Sequence, residues 1–289
     1  MKRYLKLPSV IIKLGIINVI KYLKHKVYIK LNIYKYFYKI KPIDYPLINN
    51  NQKINLSKKP IYFDNECIKD ANLILEGKIK LFNKNIVFLG ENINWHKDHI
   101  MNYEINNKNE HWSKIKLYEN TDIKRIWELS RWNWTVVLAR SWITTKDYKY
   151  LYKLNELIND WCIKNSFNMG VNWADGQETA IRLINAFLTF RIVDQNKIPK
   201  YTTNRESFIR GHLFRLKQSY FYEQSQNNNH WISIAAGMFI GGGWLLKKSI
   251  KSKSIGNKYI NFGQYELEKS LKKLVLEDGT FSQYSTNYH

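Results

Sequence analysis

Cysteine is nearly absent from this chain. Its 289 residues contain two, Cys67 and Cys162, far apart and neither in a C-x-x-C pair. This excludes a disulfide framework and a cysteine zinc site, and leaves two free, buried thiols as the expectation. Proline is scarce too, and three of the five, Pro42, Pro46 and Pro60, fall within residues 41–60. Together with the "NNNQ" run they mark that stretch as a linker. No apolar run approaches the roughly 18 residues that a membrane-crossing helix needs. The start, "MKRYLKLPSVIIKLGIINVIKYLKHKVYIK", is basic and partly apolar, but Lys13 and Lys21 interrupt it and no small-residue cleavage site follows. It is a poor signal peptide. It reads as a basic amphipathic helix, lying on a membrane or packing on the domain.

Acidic residues are the other shortage: 24 Asp and Glu face 46 Lys and Arg, for a net charge of +22. Residues 1–60 hold 14 Lys or Arg against a single acid, Asp44. Such a balance favours polyanionic partners: nucleic acid, anionic lipid or acidic polysaccharide. A chain crowded with Lys, Asn and Ile is also what an AT-rich gene yields with no partner in view. What is plentiful is aromatic: ten Trp and twenty Tyr, in a chain 44% hydrophobic. This is a folding composition. The rings belong to core and inter-helix packing, or some line a groove and stack on sugars or bases.

Three regions follow from the pattern. Residues 1–60 are a basic helical segment and linker. Residues 61–120 hold short strands and a long loop, with "GKIKLFNKNIVFLG" bounded by Gly77 and Gly90 as a hairpin. Residues 121–289 are helix after helix. "TDIKRIWELSRWNWTVVLARSW" starts on Thr121 or Asp122 as cap, and "DYKYLYKLNELINDWCIKN" places Leu151, Leu154, Ile158 and Trp161 on one side. "DGQETAIRLINAFLTFRIV" opens on Asp175 with Glu178 three residues on, like a capping box. "NRESFIRGHLFRLKQSYFYEQ", "HWISIAAGMFIGGGWLLKK" and "GQYELEKSLKKLVLEDG" follow. Short loops between similar helices imply antiparallel pairs, as in a bundle, a solenoid or an α/α toroid. No repeat is strong enough to name a solenoid.

Chemistry could sit in three places. Glu178, Arg182, Asn185 and Thr189 form one polar stripe, either a solvated face or the wall of a polar cleft, with Trp173 beside that helix's start. In "QSQNNNHWISIAAGMFIGGG", Asn228, Asn229 and His230 are caps and loop formers, or an amide and an imidazole held to grip a carboxylate. Gly237 and Gly241 to Gly243 allow a neighbour's backbone close. Last, Tyr284, Tyr288 and His289 follow the Asp278–Gly279 turn. A phenol, at about 10 when unperturbed, acts as a base near neutrality only beside cations.

These stretches, in this order, resemble the N-terminal catalytic half of the heparinase II/III superfamily of polysaccharide lyases. "FLG" and "NWHKD" at 88–98, "WELSRWNWTVVLARSWITTKDYKY", "GVNWADGQETAIRLINAF", "NNNHWISIAAGMFIGG" and "LEDGTFSQYSTNYH" carry the likeness over roughly residues 85–289. It implies an all-α main domain, an incomplete (α/α) toroid, after a small mixed N-terminal segment. It also implies that further toroid helices and a β-sandwich with another His belong beyond Tyr288 and His289, so the chain as given should turn over slowly. The implied activity is β-elimination on a uronate-containing polysaccharide. Asn229 would hold the sugar carboxylate, Tyr288 would move protons, and His230 and His289 would assist. Asn228, Glu178, Arg182 and Trp173 would bind substrate. Ser233 stands where some members carry an acid, which leaves substrate choice open. No cofactor and no metal are expected in this chain. The competing readings are a non-catalytic carbohydrate-binding or surface-polysaccharide assembly protein and, ranked last, a nucleic-acid binder. Peripheral membrane contact through the basic N-terminus stays open. The resemblance suggests a periplasmic or exported protein, and the oligomeric state is not readable.

Overall fold

A computed structural model describes residues 15–36, 43, 45–48, 65–105, 109–115, 122–194, 203–246 and 250–282. It divides into two compact units. One comprises residues 1–39, 175–180 and 212–289, the other residues 40–174 and 181–211.

The second unit contains helix α3 (Asn65–Leu75), the strands β1 (Lys78–Leu81) and β2 (Asn85–Phe88), and a short pair β3 (Lys97–Asp98) and β4 (Tyr103–Glu104). Helices α4 (Lys124–Ser130), α5 (Asn133–Thr145) and α6 (Tyr148–Lys164) come next. β1 and β2 pair antiparallel, Lys78 opposite Phe88 and Leu81 opposite Asn85, so the segment between Gly77 and Gly90 is the hairpin its composition predicts. Helix α6 buries Leu151, Leu154, Ile158 and Trp161 along one face, as their spacing requires. The loop expected over 91–120 instead carries β3, β4 and a short 3-10 turn at Trp112–Lys114.

The helix expected from Asp122 onward is two helices. Asp122 accepts from the Lys124 amide at 3.2 Å, but the run breaks after Ser130, and Trp132 takes a left-handed φ of 68°. A bulky residue adopts that conformation only where something repays it. Here the Trp132 ring is fully buried, stacked on Phe208 at 5.1 Å and edge-on to Trp161 at 5.2 Å. Breaking the helix strands carbonyls in the interior, and the polar stripe of the next long helix, α7 (Gly176–Val193), meets them. Arg182 donates to Ser130 O at 3.1 Å, Asn185 donates to Arg131 O at 2.8 Å, and the Thr135 and Thr189 hydroxyls share a 2.6 Å bond. From Arg182 onward the stripe binds neighbouring main chain and side chains, fully buried at Arg182 and Thr189 and half-buried at Asn185. It is a seam between helices.

The first unit contains α1 (Ile16–Lys30), α2 (Ile33–Tyr36), the first turn of α7, most of α8 (Thr203–Gln226), α9 (Asn229–Leu245) and α10 (Ile250–Leu274). Helices α9 and α10 pack backbone to backbone. A Cβ on Gly242 would lie 2.8 Å from the Ile260 nitrogen, and one on Gly263 only 2.5 Å from that of Phe239. Gly242 allows the close approach its position suggests, and Gly263, which opens the last helical segment of the sequence, is a contact point inside a helix that begins at Ile250. Seven α-helices lie between Lys124 and Leu274 among the described residues.

Candidate active site

Helix α8 ends at Gln226, Asn227 turns the chain with a φ of 50°, and α9 starts at Asn229. Asn228 is the N-cap, its side-chain oxygen accepting from the His230 amide at 3.1 Å. This cap is the bland reading of the Asn run, and it is correct for Asn228. It also aims the next two side chains. Asn229 donates through Nδ2 to Gln177 Oε1 at 3.2 Å, which leaves its second N–H unspent on Gln177. Its Oδ1 is buried and meets no donor among the described residues.

His230 Nδ1 bonds Glu223 Oε2 at 3.0 Å and lies 3.7 Å from Asp175 Oδ2. Glu223 also accepts from Gln226 at 3.1 Å. Asp175 caps α7, accepting from the Glu178 amide at 3.1 Å. Gly176 lets this cap approach: a Cβ there would stand 2.7 Å from Ser219 and Ile234.

These charged groups act on one another. Burial, then the Glu223 charge, pushes the Asp175 carboxyl up to about 6, against the pull of His230. Burial pulls His230 down, but the Glu223 hydrogen bond and the charges of Asp175, Glu223 and Glu178 outweigh it, and the imidazole ends above its ordinary value. Burial lowers the Arg215 guanidinium to about 10, opposed by Asp175 and Glu223. Arg215 also bonds Ser219. The ligand atoms of Asp175, Glu223 and His230 lie within 4.8 Å of one another, close enough to share a metal ion, and Arg215 already supplies positive charge beside both carboxylates.

Of the residues singled out in the sequence, Asn228, Asn229, His230 and Glu178 fall in this unit. Glu178 is buried and acts on His230 through its charge. Trp173 and Arg182 are fully buried in the other unit. The Arg182 guanidinium lies 4.6 Å from the ring centre of Trp161 and 4.7 Å from that of Trp173, and donates to Asn172 O at 3.2 Å. Rings and cation are engaged with each other, so neither presents a surface to a sugar here. Tyr284, Tyr288 and His289 lie outside the described residues. Glu223, Arg215 and Gln177 were not singled out, and Asp175 only as a cap. Glu223 stands seven residues before His230 across a helix break, so no helical spacing links them; only the turn at Asn227 does.

The heparinase II/III N-terminus family model matches residues 15–289, and the chain belongs to that family. The solved structure of a heparinase III with methylated lysines is similar in fold, with a TM-score of 0.55 and 17% identity over 92% of this chain. The main domain is thus all-α, of the α/α-toroid class, beside two short strand pairs. This chain spans 40% of that protein's length. No curated protein matches.

Proposed function

We propose that this chain carries the helical part of a lyase that cleaves a uronate-containing polysaccharide by β-elimination. The observation that carries the reading is the Asn229–His230 pair, anchored from both sides by Gln177 and Glu223 at the start of a 17-residue helix. In the reaction, the C5 proton leaves, negative charge spreads onto the uronate carboxyl group, the C4–O bond breaks and a C4=C5 double bond forms. The leaving oxygen takes a proton. The unspent Asn229 N–H suits the developing oxyanion, and the positive end of α9 favours the same charge. His230, inclined to protonation by its acidic neighbours, adds a donor. Tyr288, with His289, would supply the proton transfers that the family motif assigns to it. Asn228 and Glu178 support the site by capping and by charge, and not through contact with sugar.

The test is ultraviolet absorbance of the unsaturated product, with the full chain at high concentration on a panel of uronate polysaccharides. Asn229→Ala should lower the rate by about two orders of magnitude, the usual worth of an oxyanion donor. Polysaccharide binding with no product at any enzyme concentration would favour the carbohydrate-binding or assembly reading. An unchanged rate in Asn229→Ala would refute the assigned role.

A further inference from the structure

Helix α1 is turned inside out. Its buried residues are Asn18 and His25, while Ile16, Ile17, Ile20, Leu23 and Val27 are between 49% and 66% exposed. At 3.6 residues per turn, Ile16, Ile20, Leu23 and Val27 form a single stripe, and the exposed Leu31 extends it. The inner side is held by specific contacts. His25 Nδ1 bonds the Tyr34 hydroxyl at 3.0 Å, and the His25 ring stacks on Tyr222 at 4.9 Å. The helix therefore docks through polar and aromatic groups and leaves its aliphatic side outward.

That stripe is flanked by cations. Lys24, Lys26 and Lys30 are exposed beside it, and Lys24 and Lys26 lie over the rings of Phe221 and Tyr22. Ile16–Lys30 contains no acid, and the first 60 residues contain only Asp44. We propose that α1 is an interfacial helix that seats this protein on an anionic lipid surface, the aliphatic stripe in the headgroup boundary and the lysines on the phosphates. The two features together are what stable surface binding requires: apolar insertion plus a polybasic patch. A second copy meeting this face would set lysines against lysines. A nucleic acid would use the lysines and leave the stripe in water.

The experiment is co-sedimentation of the full chain with phosphatidylglycerol–phosphatidylcholine vesicles and with phosphatidylcholine alone. Binding to the anionic vesicles that weakens with salt is expected, and little to the neutral ones. Lys24→Glu, Lys26→Glu and Lys30→Glu together should weaken it about a hundredfold or more, at roughly tenfold per 1.4 kcal/mol. Ile20→Glu, Leu23→Glu and Val27→Glu together should weaken it at least as much, with an unchanged circular dichroism spectrum. Leu23→Cys carrying a polarity-sensitive dye gives an independent reading, because Cys67 and Cys162 are buried. Its emission should move to the blue on anionic vesicles only. No binding, binding indifferent to the stripe substitutions, an unmoved dye, or self-association abolished by those substitutions would each overturn the proposal.

Discussion

Replacing Arg182 separates an architectural role from a substrate-binding one. Its guanidinium is fully buried between Trp161 and Trp173 and donates to two main-chain carbonyls, Ser130 O and Asn172 O. Arg182→Met keeps most of the volume and removes the donors. Each buried carbonyl left short costs about 1–3 kcal/mol, and each desolvated cation–π contact contributes about 1–2 kcal/mol. Against this, the variant no longer desolvates a charge, which returns several kcal/mol. The net expectation is a loss of about 3 kcal/mol. Arg182→Lys should lose at least as much. It keeps the desolvation penalty, yet a compact ammonium cannot contact both rings and reach both carbonyls as the planar fork does. The assay is guanidinium chloride unfolding followed by tryptophan fluorescence, since two tryptophans touch the side chain. A loss below about 1 kcal/mol in both variants, or full recovery with lysine, would refute the seam as described. If Arg182 instead served substrate, both variants would keep their unfolding midpoint and lose polysaccharide affinity.

Three further outcomes follow. Gly263→Ala should destabilise by about 2–3 kcal/mol, because its Cβ meets the Phe239 backbone, while Gly243→Ala, with nothing within 4 Å, should be neutral or stabilise by up to about 1 kcal/mol in the same unfolding assay. Burial, then the charges of Arg215 and Lys26, hold His25 down at about 4, so the folded state prefers it neutral. Stability from this group is present above about 6.5 and falls as pH drops toward 4, by about 3 kcal/mol in all; His25→Gln should flatten that limb of the stability–pH curve. Asp175 opposes it: its raised value stabilises the fold at low pH and that contribution is lost as pH climbs from the unfolded value near 4 through about 6. Asp175→Asn keeps the cap and removes the titration, so the variant should gain on wild type as pH rises through that window, measured as a difference in unfolding midpoint.

Periodicity and turn chemistry determined a good deal without coordinates. Leu151, Leu154, Ile158 and Trp161 announce α6, the Gly77–Gly90 pair announces the hairpin, and Asp175 announces a helix start. Each depends on neighbours within a few residues. The order of short motifs sufficed for the family. What they could not carry is partner choice. The stripe from Arg182 to Thr189 has the same spacing whether it faces water or strands of main chain. Only the break at Trp132, and the carbonyls it exposes inside, decided that it is a seam. The pairing of Glu223 with His230 depends on the turn at Asn227, and the outward stripe of α1 on His25 finding Tyr34 and Tyr222. A sequence shows which side of a helix is apolar; which side is covered depends on what the rest of the chain brings against it.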